Sequence, residues 1–166
     1  APPRALDDNV LILRTSGTTG EPKEVAFSLR RLFEVGNGIA QSLDLTADDI
    51  GVSMLPLHHV GGIACNLVAP FTTRGQMVFF HAFDPRSFFN ALQGETGATW
   101  AYLVPAMWHQ VLDYATCHPE LSVTKPWPRL RALRSAGDRL PDEDADALAA
   151  LFGPKVSILP SYGMTE

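Results

Sequence analysis

Thr15-Ser16-Gly17-Thr18-Thr19-Gly20-Glu21-Pro22-Lys23 gathers hydroxyls, two glycines and one lysine into a single turn-forming loop. Glycine lets backbone N–H groups approach an anion closely, the Ser and Thr hydroxyls add rotatable donors, and Lys23 supplies a cation, so the loop is equipped to hold phosphate. Its spacing is not that of a Walker A loop, because G-x-x-x-x-G-K needs glycine where this chain has Pro22. An ordinary P-loop ATPase or GTPase is therefore not expected. An apolar run, residues 10–13, precedes the loop and Val25-Ala26-Phe27 follows it, which predicts a connection between two strands rather than the opening of a helix. A Ser/Thr/Gly loop by itself is equally a flexible surface turn; the remainder of the chain decides between the two.

Outward from the loop, strand-like and helix-like stretches take turns. Residues 29–43 carry apolar side chains at 29, 32, 33, 39, 40 and 43, the spacing of a helix with one face on a sheet. Residues 51–55 read as a buried strand, 63–68 as a short helix and 77–80 as a strand. Asp84-Pro85 supplies an N-cap and a first-turn proline, and Gly94 can stop the helix they start. A strand is expected at 99–104, a helix at 106–114, and a strand at 130–133 behind the proline-rich turn 125–128. An amphipathic helix at 141–152 is closed by Gly153-Pro154, and residues 156–159 form a last strand. This alternation predicts an α/β fold with a largely parallel sheet, in one unit spanning 1–166 with no internal boundary.

Composition narrows the function classes. With 166 residues, 46% of them hydrophobic, the chain is long enough for one sizeable core and short for two. A net charge of −5 and scattered arginines provide no polybasic surface, so nucleic acid is not an expected partner. No apolar run approaches the ~20 residues of a membrane span, and residues 1–8 lack a charged-then-apolar leader pattern, so no membrane association is expected and the cytoplasmic compartment is the expected one. Cys65 and Cys117 show no metal-ligand spacing and read as neutral thiols.

A second motif closes the chain. Ser161-Tyr162-Gly163-Met164-Thr165-Glu166 places an aromatic ring, a glycine, a hydroxyl and a carboxylate just after the last strand-like run. Together with Thr15 to Lys23, which matches [ST]-S-G-[ST]-T-G-x-P-K at every specified position, it resembles the adenylate-forming superfamily: acyl- and aryl-CoA synthetases, peptide-synthetase adenylation domains and firefly-type luciferases. Leu55-Pro56-Leu57-His58-His59-Val60-Gly61-Gly62 is similar to the family's Pro-x-x-His-x-x-Gly element, with His59 in the histidine position and Gly62 in the final glycine position. Leu133-Arg134-Ser135-Ala136-Gly137-Asp138-Arg139-Leu140 is similar to its Ser-Gly-Gly-x-x-Leu segment. The resemblance spans essentially the whole chain, as part of the family's large N-terminal domain.

What the resemblance implies is ATP-dependent activation of a small carboxylic acid as an acyl-adenylate, with ATP and Mg²⁺ bound and CoA the commonest acceptor of the acyl group. Ser16, Gly17, Thr18, Thr19, Gly20 and Lys23, with Thr15 at the loop's start, would hold the β- and γ-phosphates. Thr165 would touch the α-phosphate, Glu166 would coordinate Mg²⁺, Tyr162 and Gly163 would lie against the adenine, and the Gly137 backbone would run along the base and the acyl pocket. His59 would sit near the substrate carboxylate. Plainer readings stand beside these: Lys23 as a surface lysine, Glu166 as an exposed carboxylate, Tyr162 as a core aromatic, His59 as a helix-start residue and His58 as structural.

Departures from the family pattern fall at Ala136-Gly137, where a Gly pair is usual, and at Asp138, which is expected among the cofactor-binding residues, where its carboxylate would alter the pocket rim or bind a polar group. Ile63-Ala64-Cys65-Asn66-Leu67 and the strand around Trp100 and Tyr102, where relatives line the acyl cavity, point to an uncharged acid of moderate size. The family's later ribose-binding aspartate, hinge and small lysine-bearing domain do not follow Glu166. The chain is therefore expected to be the central piece of a larger ligase, inactive alone, with uncovered edges prone to self-association. The alternatives are a non-catalytic nucleotide-binding or scaffolding module of the same fold, or an adenylation domain serving a carrier-protein thiol.

Overall fold

The loop quoted above joins two antiparallel strands, β1 (Asn9–Arg14) and β2 (Glu24–Ser28), in a register that sets Leu13 opposite Val25 and Arg14 opposite Glu24. Its base is tied twice: the Thr15 amide donates to the Lys23 carbonyl at 3.0 Å, and the Lys23 amide donates to Thr15 Oγ1 at 3.0 Å. This hairpin is one sheet of a computed structural model that describes residues 5–15, 21–94, 97–124 and 127–165. Ser28 ends β2 and caps the next helix, α1 (Leu29–Ser42), by accepting from the Arg31 amide at 3.2 Å.

A five-stranded, all-parallel sheet follows, in the order β4-β3-β5-β6-β7. Its strands are β3 (Ile50–Ser53), β4 (Gln76–Phe79), β5 (Trp100–Leu103), β6 (Ala132–Ser135) and β7 (Ser157–Pro160). All four residues of β5 are buried, as a central parallel strand covered on both faces requires. From β3 the chain crosses to β4 through one continuous helical run: α2 (Val60–Ile63), a wide π-helical segment (Ala64–Val68) and α3 (Ala69–Thr73). The remaining helices are α4 (Pro85–Leu92), α5 (Pro105–Cys117), α6 (Glu120–Thr124) and α7 (Asp142–Phe152). Asp84 caps α4 as its sequence predicts, accepting from the Ser87 amide at 2.8 Å.

The sheet divides the core into two. On one face Leu103 and Leu133 meet Phe88, Trp108, Leu148 and Phe152 of α4, α5 and α7, with the Phe88 and Trp108 rings edge-on at 5.7 Å. On the other, Trp100, Tyr102 and Ala132 meet Ala40 of α1, Leu43 just after that helix, Cys65 of the π segment and Ala69 of α3. Alternate strand residues go to opposite faces, so Leu133 joins the first core while Ala132 and Ala136 join the second.

The N-terminal ends of β3, β5 and β6 are locked by Asp49. It accepts from Arg131 Nε at 2.9 Å and Nη2 at 2.8 Å, from the Thr99 hydroxyl at 2.6 Å and from the Thr46 amide at 2.8 Å. Burial opposes its charge, but these donors outweigh burial and hold the carboxyl at about 2. Among the described residues, no helix is long and apolar enough to cross a membrane.

The alternation read from the sequence holds, with two differences. The helix expected at 63–68 begins at Val60 and runs through Thr73, and α6 has no counterpart in the sequence reading.

Candidate active site

In this sheet the crossover after β3 leaves on one face and the helix after β5 leaves on the other. Chains diverging this way open a crevice beyond the C-terminal strand ends, the usual ligand position in open α/β sheets. A cavity of about 990 Å³ occupies that position. The hairpin contributes Thr15 and Lys23 to its wall, the turn after β3 contributes Pro56 and His59, and β6 with its following turn contributes Arg134, Ala136 and Gly137. Tyr162, Gly163 and Thr165, in the segment after β7, line it as well.

Of the site residues expected from sequence, the structure therefore brings together Thr15, Lys23, His59, Gly137, Tyr162, Gly163 and Thr165 around one cavity. Ser16, Gly17, Thr18, Thr19, Gly20 and Glu166 lie outside the described residues. Asp138 does not line the cavity: its side chain is exposed, and Oδ1 accepts from the Arg139 amide at 2.7 Å. The turn before it depends on Gly137, whose φ of +97° is strained for any L side chain.

Local chemistry explains the other positions. His59 is the N-cap residue of α2, where its carbonyl accepts from the Ile63 amide at 3.1 Å while its side chain makes no capping bond. The residue is exposed and lines the cavity, its ring 4.3 Å from that of His58, so the helix-start position also places His59 at the cavity. Two glycines follow because there is no room for more: a Cβ on Gly61 would come within 2.5 Å of the Tyr102 hydroxyl, and one on Gly62 would collide with the Pro56 carbonyl. Tyr162 is 88% exposed, which removes the core-aromatic reading and leaves a free ring face at the cavity.

The deeper wall differs from expectation. Ala64, Cys65 and Tyr102 line it, but Asn66 is buried and donates from Nδ2 to Ser53 Oγ at 2.9 Å, and Leu67 faces out. Trp100, two residues below Tyr102 on β5, packs into the core instead. A helical turn exposes only part of its residues to any one cavity, so a five-residue stretch cannot line it whole. Burial pushes the Cys65 thiol up to about 12, and burial also raises Tyr102, so both are neutral at physiological pH. Arg134 also lines the cavity, although its motif implies no role for it; strand parity is the signal, since it shares a face of β6 with Ala132.

The site accommodates a nucleotide by its own features: an open volume, a glycine backbone at its rim, an exposed aromatic face and hydroxyl and lysine groups opposite. Among the described residues there is no cluster of three or more His, Cys, Asp or Glu side chains.

Similarity to known proteins agrees with this geometry. The chain is 31% identical over 165 residues to a sulfoacetate–CoA ligase of Cupriavidus necator, covering 99% of this chain and 30% of that protein. It is 33% identical over 162 residues to an oxalate–CoA ligase of Arabidopsis thaliana, covering 96% of this chain and 30% of that protein. Among solved structures it superposes on ATP-bound MatB from Rhodopseudomonas palustris with a TM-score of 0.85 at 29% identity, covering 98% of this chain and 30% of that one. The chain thus spans about 30% of the length of the relatives it matches. The model of the AMP-binding enzyme family matches residues 1–166, and the chain belongs to that family.

Proposed function

We propose that this chain carries the ATP- and acid-binding centre of a ligase that activates a small carboxylic acid as an acyl-adenylate and passes the acyl group to CoA. The observation that carries the reading is the single cavity at the sheet's switch point, where the hairpin base, His59, Gly137 and the segment Tyr162 to Thr165 converge from distant parts of the sequence. The CoA-ligase names of its relatives support the acceptor.

In this reading the hairpin loop, Thr15 through Gly20 with Lys23, holds the β- and γ-phosphates, and the Thr165 hydroxyl meets the α-phosphate. The exposed Tyr162 ring and Gly163 lie against the adenine, with the Gly137 backbone along its other side. His59 stands by the acid's carboxylate. A carboxylate oxygen attacks the α-phosphorus, the bond to pyrophosphate breaks, and the leaving charge develops against Lys23 and the loop donors. Two anions must approach, so orientation and fixed positive partners supply the acceleration. Mg²⁺, held by Glu166 and phosphate oxygens, would neutralise part of the triphosphate charge.

The test is acid-dependent ATP–pyrophosphate exchange by the protein that carries this chain. Lys23→Ala removes a charge-assisted contact that strengthens in the transition state, so exchange should fall about 10- to 100-fold with the fold intact. Unchanged exchange would remove Lys23 from the phosphate site. Exchange with no acid dependence would refute acid activation.

A further inference from the structure

Two arginines three residues apart at β6 have opposite surroundings. Arg131 is satisfied: two bonds to Asp49, one from Nη1 to the Leu43 carbonyl at 2.8 Å and one from Nη2 to the Asp44 carbonyl at 2.9 Å. Among the described residues Arg134 has a single bond, at 3.5 Å, from Nη1 to Ser42 Oγ, and its Nε is buried without a partner there. Among the described residues no carboxylate lies within 4.0 Å of it.

A guanidinium does not lose its charge in proteins, so Arg134 cannot escape this by deprotonating. Its neighbours offer no counter-charge. In the sheet register it stands beside Tyr102, and Cys65 lies on the helical run above that same face. Both side chains stay protonated, the thiol with its pKa at about 12. A half-buried cation with an orphaned donor costs free energy unless an acceptor completes it, and an anion does so most strongly because it also answers the charge.

Position indicates which anion. Arg134 lines the cavity from inside β6, one residue before the strand ends, whereas Gly137 lines it from the turn beyond that end. The groups that would hold the nucleotide sit at the hairpin base and beyond the strand ends, above that level. With the reacting carboxylate near His59, as proposed above, the far end of the acid would reach toward the residues that line the cavity from inside the strands.

We infer that Arg134 binds a second anionic group at the distal end of the substrate, so that the acid is a short dicarboxylate or an equivalent dianion. This rests on the acid-activation reading above and replaces the uncharged acid expected from residues 63–67. The planar fork of an arginine suits a carboxylate's two oxygens, and a site built for that contact rejects the analogue lacking it.

The experiment measures ATP–pyrophosphate exchange with chain-matched acids, malonate against propionate and succinate against butyrate, for the protein that carries this chain and for Arg134→Met and Arg134→Lys. The expected result is a dicarboxylate preference in kcat/KM of about 10- to 100-fold, abolished in Arg134→Met and partly kept in Arg134→Lys, with KM for ATP unchanged in both. Because the preference is a ratio within one protein, it reads correctly even where a variant is partly unfolded, and Arg134→Lys serves if Arg134→Met does not fold. Activation of acids without a dicarboxylate preference overturns this inference alone. A raised KM for ATP with the acid preference intact also overturns it, placing Arg134 on the nucleotide. If no acid supports exchange, the adenylation reading falls and this one with it.

Discussion

Asp49→Asn should destabilise the protein by about 2 kcal/mol at neutral pH, and that penalty should vanish in acid. Asp49 is buried, and it is held at about 2 against an ordinary value of 3.8 by Arg131, Thr99 and Thr46. At 1.4 kcal/mol per pH unit, this difference is worth roughly 2.5 kcal/mol. Arg131 is 36% exposed, and water at its guanidinium lowers the figure to about 2 kcal/mol. The folded pKa is depressed, so the contribution is complete above pH 4 and is lost as pH falls from about 4 through about 2. Urea unfolding of both proteins at pH 7, 5, 3 and 2 isolates the effect, because every other carboxylate titrates in both and cancels in the difference. A difference that stays constant from pH 7 to 2, or a midpoint that Asp49→Asn does not move, would refute the assignment of Asp49 as a charged clamp.

Glu166→Gln keeps shape and removes charge, so pyrophosphate exchange should require a higher Mg²⁺ concentration for its half-maximum; superimposable Mg²⁺ titrations would return Glu166 to an exposed carboxylate. Gly61→Val places carbon against the Tyr102 hydroxyl and should cost about 1–3 kcal/mol in denaturant unfolding and raise KM for the acid more than for ATP, whereas an unaffected KM for the acid would separate this contact from the cavity. Cys117 is exposed and Cys65 is buried with its thiol at about 12, so native maleimide labelling should stop at one equivalent, and mass mapping of label on Cys65 before unfolding would contradict the packing of the π segment.

Much of this fold is written locally. Trp100-Ala101-Tyr102-Leu103 is apolar throughout and becomes the buried central strand; Asp84-Pro85 starts α4 with its own side chain; and the turn chemistry of the loop forces β1 and β2 into a hairpin. The hidden elements depend on partners remote in sequence. Asp49 and Arg131 are 82 residues apart, and neither residue type announces a clamp until β3, β5 and β6 are laid side by side. The π segment is likewise set by packing, since nothing in Ala64-Cys65-Asn66-Leu67-Val68 marks a wide turn, yet that turn directs Cys65 to the cavity and Asn66 to Ser53. Within the candidate site, glycine and aromatic positions were legible because their backbone requirements are local. Arg134 was not, because its meaning lies in what fails to surround it.

The depth of Arg134 has a consequence for how this scaffold varies. The groups proposed to meet the nucleotide lie in turns and segments beyond the strand ends, whereas Tyr102, Arg134, Ala64 and Cys65 line the cavity from inside β5, β6 and the π segment. Strand side chains alternate between faces, so a substitution at 134 alters the cavity without touching the core residues Leu133 and Ser135 on either side of it. The clamp at Asp49 lies at the opposite, N-terminal end of the same strands and holds their register whatever occupies the cavity. On the proposed function, acid preference would therefore change through one or two inward strand positions while the triphosphate geometry stayed as it is. On these physical grounds the acid's charge is to be sought at Arg134, and the chemistry at the loops.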